Sequence, residues 1–164
     1  MKYVLVQVMF VSLILTFYSA NNQSMGQTGV KMELISTKLV NKVNAPFHGD
    51  WYSTDTTQMK GLVIKVKMSK TPEMEEFNTG RLFFEFENNG EKTRVSCLGM
   101  TLVSKENEDG IWMLNSEDKG YYTITPPEEE KTEYQDFLFP IPPTINSGVL
   151  KYEILIDMVK IQIK

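Results

Sequence analysis

Apolar and polar residues alternate with a period of two along much of this chain. In residues 61–68, Leu62 and Ile64 fall on one face of an extended segment, while Lys65 falls on the other. Residues 82–86 repeat the pattern. Because successive side chains of a strand point to opposite faces, this spacing predicts strands with at least one buried face.

Turn signals separate the alternating segments about every ten residues. Asn89-Gly90 is a two-residue hairpin signal between two such segments, and Asp109-Gly110 marks a further turn. No long segment shows helical periodicity. The pattern predicts an all-β fold of eight or nine short antiparallel strands, either a barrel or a two-sheet sandwich.

The N-terminus has the pattern of a secretory signal peptide. A basic start at Lys2 precedes an apolar run that ends at Ser19-Ala20. We therefore expect residues 1–20 to be removed, with an uncleaved membrane anchor as the alternative. Residues 21–40 are interpreted as an N-terminal tail and lead-in, and residues 41–164 as the folded domain. We expect the product to be secreted, extracellular and not inserted in a membrane, with a glycosylation sequon at Asn22.

Charge and cysteine content narrow the classes of partner. The net charge of −4 becomes −5 once Lys2 is removed, so nucleic acid and anionic lipid surfaces are not expected partners. The single cysteine, Cys97, excludes an intramolecular disulfide. We interpret Cys97 as a small core residue, with an intermolecular disulfide or a reactive thiol as alternatives.

Two short motifs resemble those of the lipocalin family. Gly49-Asp50-Trp51-Tyr52 looks like the Gly-x-Trp motif of the first lipocalin strand, and Thr132-Glu133-Tyr134 is similar to the Thr-Asp-Tyr motif that follows at a comparable distance. The chain lacks the family's third motif, its usual disulfide and its C-terminal helix. It resembles a divergent or C-terminally truncated member, nearest to the β-lactoglobulin, glycodelin and odorant-binding branch.

The resemblance implies an eight-stranded up-and-down antiparallel β-barrel with an apolar cavity. The expected function is carriage of a small hydrophobic ligand of the odorant, retinoid, steroid or fatty-acid type, without covalent chemistry. The inward-facing positions form the predicted cavity wall: Leu62, Ile64, Val66, Leu82, Phe84, Phe86, Val95, Trp112, Leu114, Tyr122, Phe137, Phe139, Leu150, Tyr152 and Ile154. The same alternation is compatible with a solid core.

Two further readings remain open at this point. The chain can be a secreted interaction protein whose filled barrel is a scaffold for binding a cell-surface receptor. It can also be a lipid-binding β-sandwich of the GM2-activator/MD-2 type. His48 with Asp50 and Asp55 is better explained as a solvated strand entrance than as a metal site. No cofactor, metal or catalytic residue is predicted.

Overall fold

The computed structural model describes residues 29–46, 51–53, 59–115, 120–153 and 156–163. No α-helix occurs in these ranges, and a short 3₁₀ turn spans Thr79–Arg81. The predicted all-β class is therefore confirmed. None of the described helical segments is long and apolar enough to cross a membrane. The strands are β1 (Val30–Val40), β2 (Lys42–Asn44), β3 (Trp51–Ser53), β4 (Lys60–Lys70), β5 (Phe77–Asn78), β6 (Leu82–Asn88), β7 (Glu91–Ser96), β8 (Gly99–Val103), β9 (Met113–Leu114), β10 (Thr123–Ile124), β11 (Lys131–Ile141), β12 (Ser147–Tyr152) and β13 (Ile156–Gln162).

The larger sheet has five strands in the order β1-β4-β11-β8-β9. Its central strand is β11, and the neighbouring strand β4 pairs antiparallel with β1 on one side and with β11 on the other. The pairing of β4 with β11 is continuous from Lys70↔Lys131 to Lys60↔Ile141. Because β1 is a full partner of β4, the folded unit extends upstream of residue 41, into the segment interpreted as a lead-in.

A second sheet has four strands in the order β13-β12-β6-β7. The β6–β7 hairpin closes at Asn89-Gly90, where both residues have positive φ (53° and 81°), and Asn88 pairs with Glu91. The predicted two-residue hairpin is thus confirmed, since Asn and Gly tolerate this conformation best. On the outer face, Glu85 forms ion pairs with Arg94 (2.6 Å) and Lys151 (3.2 Å).

The two larger sheets share one hydrophobic core. Phe84 on β6 and Phe139 on β11 lie with ring centroids 6.0 Å apart, so side chains from the two sheets meet face to face. Leu62, Ile64 and Leu82 are also part of this core and have no exposed surface. The inward positions predicted for β4 and β6 are confirmed.

None of the sheets formed by the described residues closes into a barrel. The strand order also differs from the predicted up-and-down order, in which each strand would pair with the next one in sequence. Instead β4 lies between β1 and β11, and the chain passes from the second sheet to the first between β7 and β8. There the amide of Cys97 donates to Leu82 O and the amide of Leu98 donates to Leu138 O. The arrangement is consistent with the β-sandwich alternative.

A smaller hydrophobic cluster lies on the outer face of the five-stranded sheet. Val63 and Leu138, which are register partners on β4 and β11, pack there with Trp112, Leu114 and Val43. The short β2–β3 pair supplies Val43. As a result, the middle of β4 is buried on both faces.

Candidate functional site

Most of the predicted wall residues lie in the shared core. Those that are buried are Leu62, Ile64, Val66, Leu82, Phe84, Phe86, Phe137, Phe139, Leu150 and Tyr152, while Val95 and Tyr122 are partly buried against them. Trp112 and Leu114 lie in the outer cluster, apart from the rest. Ile154, Gly49, His48 and Asn22 lie outside the described residues.

Aromatic rings contact one another in the shared core. Phe77 stacks on Tyr152 with centroids 4.1 Å apart, and Phe84 contacts both Phe86 (5.7 Å) and Phe139 (6.0 Å). Rings at these separations are in direct contact. These predicted wall residues therefore pack against other side chains of the core.

A cleft of about 290 Å³ opens beside this core, where β4 ends and β11 begins. One wall is the inner face of the five-stranded sheet, and the other is the segment from β10 to the proline pair 126–127. The lining residues are Lys70, Met100, Met113, Tyr122, Thr123, Ile124, Thr125, Pro126, Pro127, Lys131, Glu133 and Gln135. Among the predicted wall residues that the structure describes, only Tyr122 lines this cleft, together with Glu133 of the second motif.

The inward face of β11 changes from apolar to polar as it approaches the cleft. From the end of the strand toward its start, the inward residues at every second position are Phe139, Phe137, Gln135 and Glu133. Gln135 has no exposed surface, and within the described ranges neither its amide nitrogen nor its amide oxygen has a hydrogen-bond partner. A buried polar group without a partner typically costs about 1–3 kcal/mol of stability. Sequence reasoning missed Gln135, although it lies at every-second-residue spacing with Phe137 and Phe139 on β11 and therefore faces inward with them.

Charged groups line the part of the cleft next to the start of β11, before Gln135 in the chain. Glu133 forms ion pairs with both Lys70 and Lys131. Burial works against the charged carboxylate, but hydrogen bonds from Lys131 and Lys70 outweigh it and hold the pKa of Glu133 below its usual value. The three side chains together carry one net positive charge.

The rest of the second predicted motif lies on the outer face of β11. Thr132 Oγ1 lies 3.2 Å from Ser69 Oγ, and Tyr134 is half-buried in register with Val103. Of the first motif, Trp51 and Tyr52 form β3, where they pair with Asn44 and Val43.

A separate polar cluster is buried on the outer face of the five-stranded sheet. Lys65 Nζ lies 3.6 Å from Asp136 Oδ1 and donates to Glu108 O at 2.6 Å, while Thr101 Oγ1 donates to Asp136 Oδ2 at 3.2 Å. Burial raises the pKa of the Asp136 carboxyl, and Lys65 and Thr101 oppose that rise. The cluster ties the loop carrying Glu108 to β4 and β11.

Cys97 lies in the shared core, as the preferred interpretation predicted. Its Sγ donates to Gly99 O at 3.1 Å, and burial raises the pKa of the thiol to about 12. A thiol of this kind stays protonated near neutral pH and is a poor nucleophile. Over the described ranges, His, Cys, Asp and Glu side chains form no group of three that could hold a metal ion.

No protein-family model matches the chain, and neither curated proteins nor solved structures yielded a match. The described residues form an all-β structure in which a five-stranded and a four-stranded antiparallel sheet share one core, with a small, partly apolar cleft at one end of it. The lipocalin resemblance stays a prediction.

Proposed function

We propose that this chain is a secreted, non-catalytic binding protein that carries a small ligand with a large apolar part. The ligand occupies the cleft at the β4–β11 end of the core, and the fold is a two-sheet β-sandwich rather than a closed barrel. The observation that carries the proposal is the cleft itself, about 290 Å³ in volume and lined by apolar side chains and about as many polar ones. Ligand sites are commonly clefts in which apolar surface is combined with polar groups that orient the ligand.

The volume of the cleft restricts the size of the ligand. Ligand pockets typically measure about 300–1,000 Å³, so this cleft is at the lower end. This favours odorant-sized molecules over the retinoids, steroids and long-chain fatty acids that the sequence also suggested. Burial of each methylene group contributes about 0.8 kcal/mol before the costs of association.

The methyl groups of methionine offer a direct test. Met100 and Met113 line the cleft, whereas Met158 lies on β13 of the other sheet. Protein labelled with ¹³C at the methionine methyls is titrated with six- to ten-carbon alcohols and aldehydes. We expect saturable shifts at Met100 and Met113 and none at Met158, with assignments from Met100→Leu and Met113→Leu.

A blocked cleft provides the matched control. Thr125 is exposed and lines the cleft, so Thr125→Trp fills its mouth without entering the core. Lys92→Trp places the same side chain on the exposed β6–β7 hairpin. Binding of the alcohols and aldehydes must be lost in Thr125→Trp and kept in Lys92→Trp. If no member of the ligand panel moves either cleft methyl, the carrier function is refuted.

Ring contacts in the core and exposed loop side chains favour a second candidate, a secreted interaction protein that uses the fold as a scaffold. Phe77 stacks on Tyr152 and Phe84 contacts Phe139 in the core. Two large side chains on loops, Ile111 and Tyr121, are more than half exposed (57% and 58%). This function predicts saturable binding of fluorescent protein to a target cell surface. Ile111→Ser with Tyr121→Ser would abolish that binding, and Thr125→Trp would leave it unchanged.

A further inference from the structure

Gln135 lines the cleft from β11, and its side-chain amide is buried with both polar atoms unpartnered. Among the described residues, neither Nε2 nor Oε1 has a hydrogen-bond partner. An amide carries two N–H donors and one carbonyl acceptor. If the nitrogen and oxygen are exchanged by rotation of the amide, a donor and an acceptor are still both open.

The strand holds Gln135 in place. Its register partner on β4 is Val66, which is fully buried, and the next inward residue on β11 is Phe137. Apolar neighbours of this kind offer no hydrogen bonds to the amide. A group that enters from the cleft can satisfy both atoms.

The geometry of an amide selects its complement. A carboxamide or a lactam presents one N–H donor beside one carbonyl acceptor, and can form two parallel hydrogen bonds with the Gln135 amide. A carboxylate accepts from Nε2 but leaves Oε1 unpaired, and an amidinium does the reverse. A site that leaves a buried polar atom unpaired rejects the poorer partner strongly.

We propose that the cleft selects small neutral molecules in which a carboxamide or lactam is joined to an apolar group. The carboxamide pairs with Gln135, and the apolar part packs against the methionine, isoleucine and proline side chains of the cleft. This inference rests on the proposed function, because it names the ligand class of the same cleft.

Because the Gln135 amide has no exposed surface, a ligand reaches it only when side chains of the lining move. Met100 and Met113 are unbranched and adaptable, so they can change rotamer as the ligand enters. The ion-pair cluster of Lys70, Lys131 and Glu133 carries one net positive charge, so charge alone would favour an anionic ligand. A preference for a neutral amide over an isosteric anion would therefore identify Gln135 as the selecting group.

Three isosteric probes separate these possibilities: benzamide, benzoate and benzamidine. Each has a phenyl ring and a planar head group. The head group of benzamide offers a donor beside an acceptor, that of benzoate offers acceptors only, and that of benzamidine offers donors only. The probes are titrated into ¹⁵N-labelled protein, and the side-chain NH₂ signals of Gln135 are identified by their absence in Gln135→Met. We expect benzamide to shift these signals and to bind about tenfold more tightly than either ion.

The variants report on the role of the amide. Gln135→Met keeps the length of the side chain and removes its hydrogen bonds, so benzamide binding should weaken about tenfold while its preference over benzoate disappears. Gln162→Met makes the same change at an exposed position on β13 and should alter nothing. The wild-type probe series does not depend on either variant being folded.

The outcomes distinguish this inference from the function on which it rests. If all three probes bind in the cleft with equal affinity, the carrier function holds and the selection by Gln135 is refuted. If benzamide binds elsewhere, or if an internal water alone satisfies the amide, the inference is also refuted. Failure of the alcohols and aldehydes as well as of benzamide would refute both proposals.

Discussion

The unpartnered amide of Gln135 predicts that its removal will stabilise the protein. In Gln135→Met, a side chain of equal length replaces a wholly buried amide that has no hydrogen-bond partner in the part of the chain that the structure describes. An unsatisfied buried polar group costs about 1–3 kcal/mol, so we expect the free energy of unfolding to rise by about 1–2 kcal/mol. For a domain of this size that corresponds to an increase in melting temperature of about 3 °C or more.

Urea denaturation followed by circular dichroism measures this change. The midpoint should move to higher urea at an unchanged slope, because the surface exposed on unfolding is the same. Gln162→Met at the exposed end of β13 is the matched control and should change stability by less than about 0.5 kcal/mol. A loss of more than about 1 kcal/mol in Gln135→Met would show that the amide is satisfied in the folded protein, and would refute the reasoning.

Three further predictions concern the core, the thiol and the ion pairs of the cleft. Phe84→Ala removes a fully buried ring that contacts Phe139 across the two sheets. The free energy of unfolding measured in urea should therefore fall by about 3–5 kcal/mol. A fall of less than about 1 kcal/mol would contradict the shared core. Cys97 should resist a thiol reagent at pH 8 and react fully in guanidinium, since burial raises its pKa to about 12; rapid labelling of the folded protein would contradict this. The pKa of Glu133 is lowered in the folded state, so its contribution to stability is present above the unfolded pKa and is lost as the pH falls through the folded pKa. In Glu133→Gln the free energy of unfolding should therefore decrease less steeply as the pH is lowered. An unchanged decrease would show that the ion pair with Lys70 contributes nothing to stability.

Several elements of the fold could be predicted because their signals are local. The alternation around Leu62 and Ile64 identifies an inward face, and Asn89-Gly90 identifies a hairpin. The break between β12 and β13 could not be predicted in this way. Residues 149–156 read as one alternating strand, but Glu153 adopts a positive φ of 54° and the chain reverses. Nothing in the local pattern marks a glutamate for that conformation.

The candidate site was less predictable than the fold. Period-two alternation assigns a residue to a face, but it does not say whether that face borders a packed core or a cleft. Thus Phe84 and Phe139 are in contact in the core, while Gln135, on the same face of β11, borders the cleft. Trp112 was grouped with the inward residues, but it packs in the cluster on the other side of the sheet.

The sequence by itself determined the all-β class, the hairpin at Asn89-Gly90 and the inward faces of β4 and β6, because side-chain periodicity and turn chemistry act over a few residues. Only the tertiary structure decided which strands pair and what lies against each face. Lys65 shows the difference: its position predicts an outward side chain, and it does point away from the shared core. It is nevertheless buried, because Asp136 on β11 and the loop carrying Glu108 meet it there. Such long-range contacts depend on the order in which strands assemble into sheets, and short sequence windows do not contain that order.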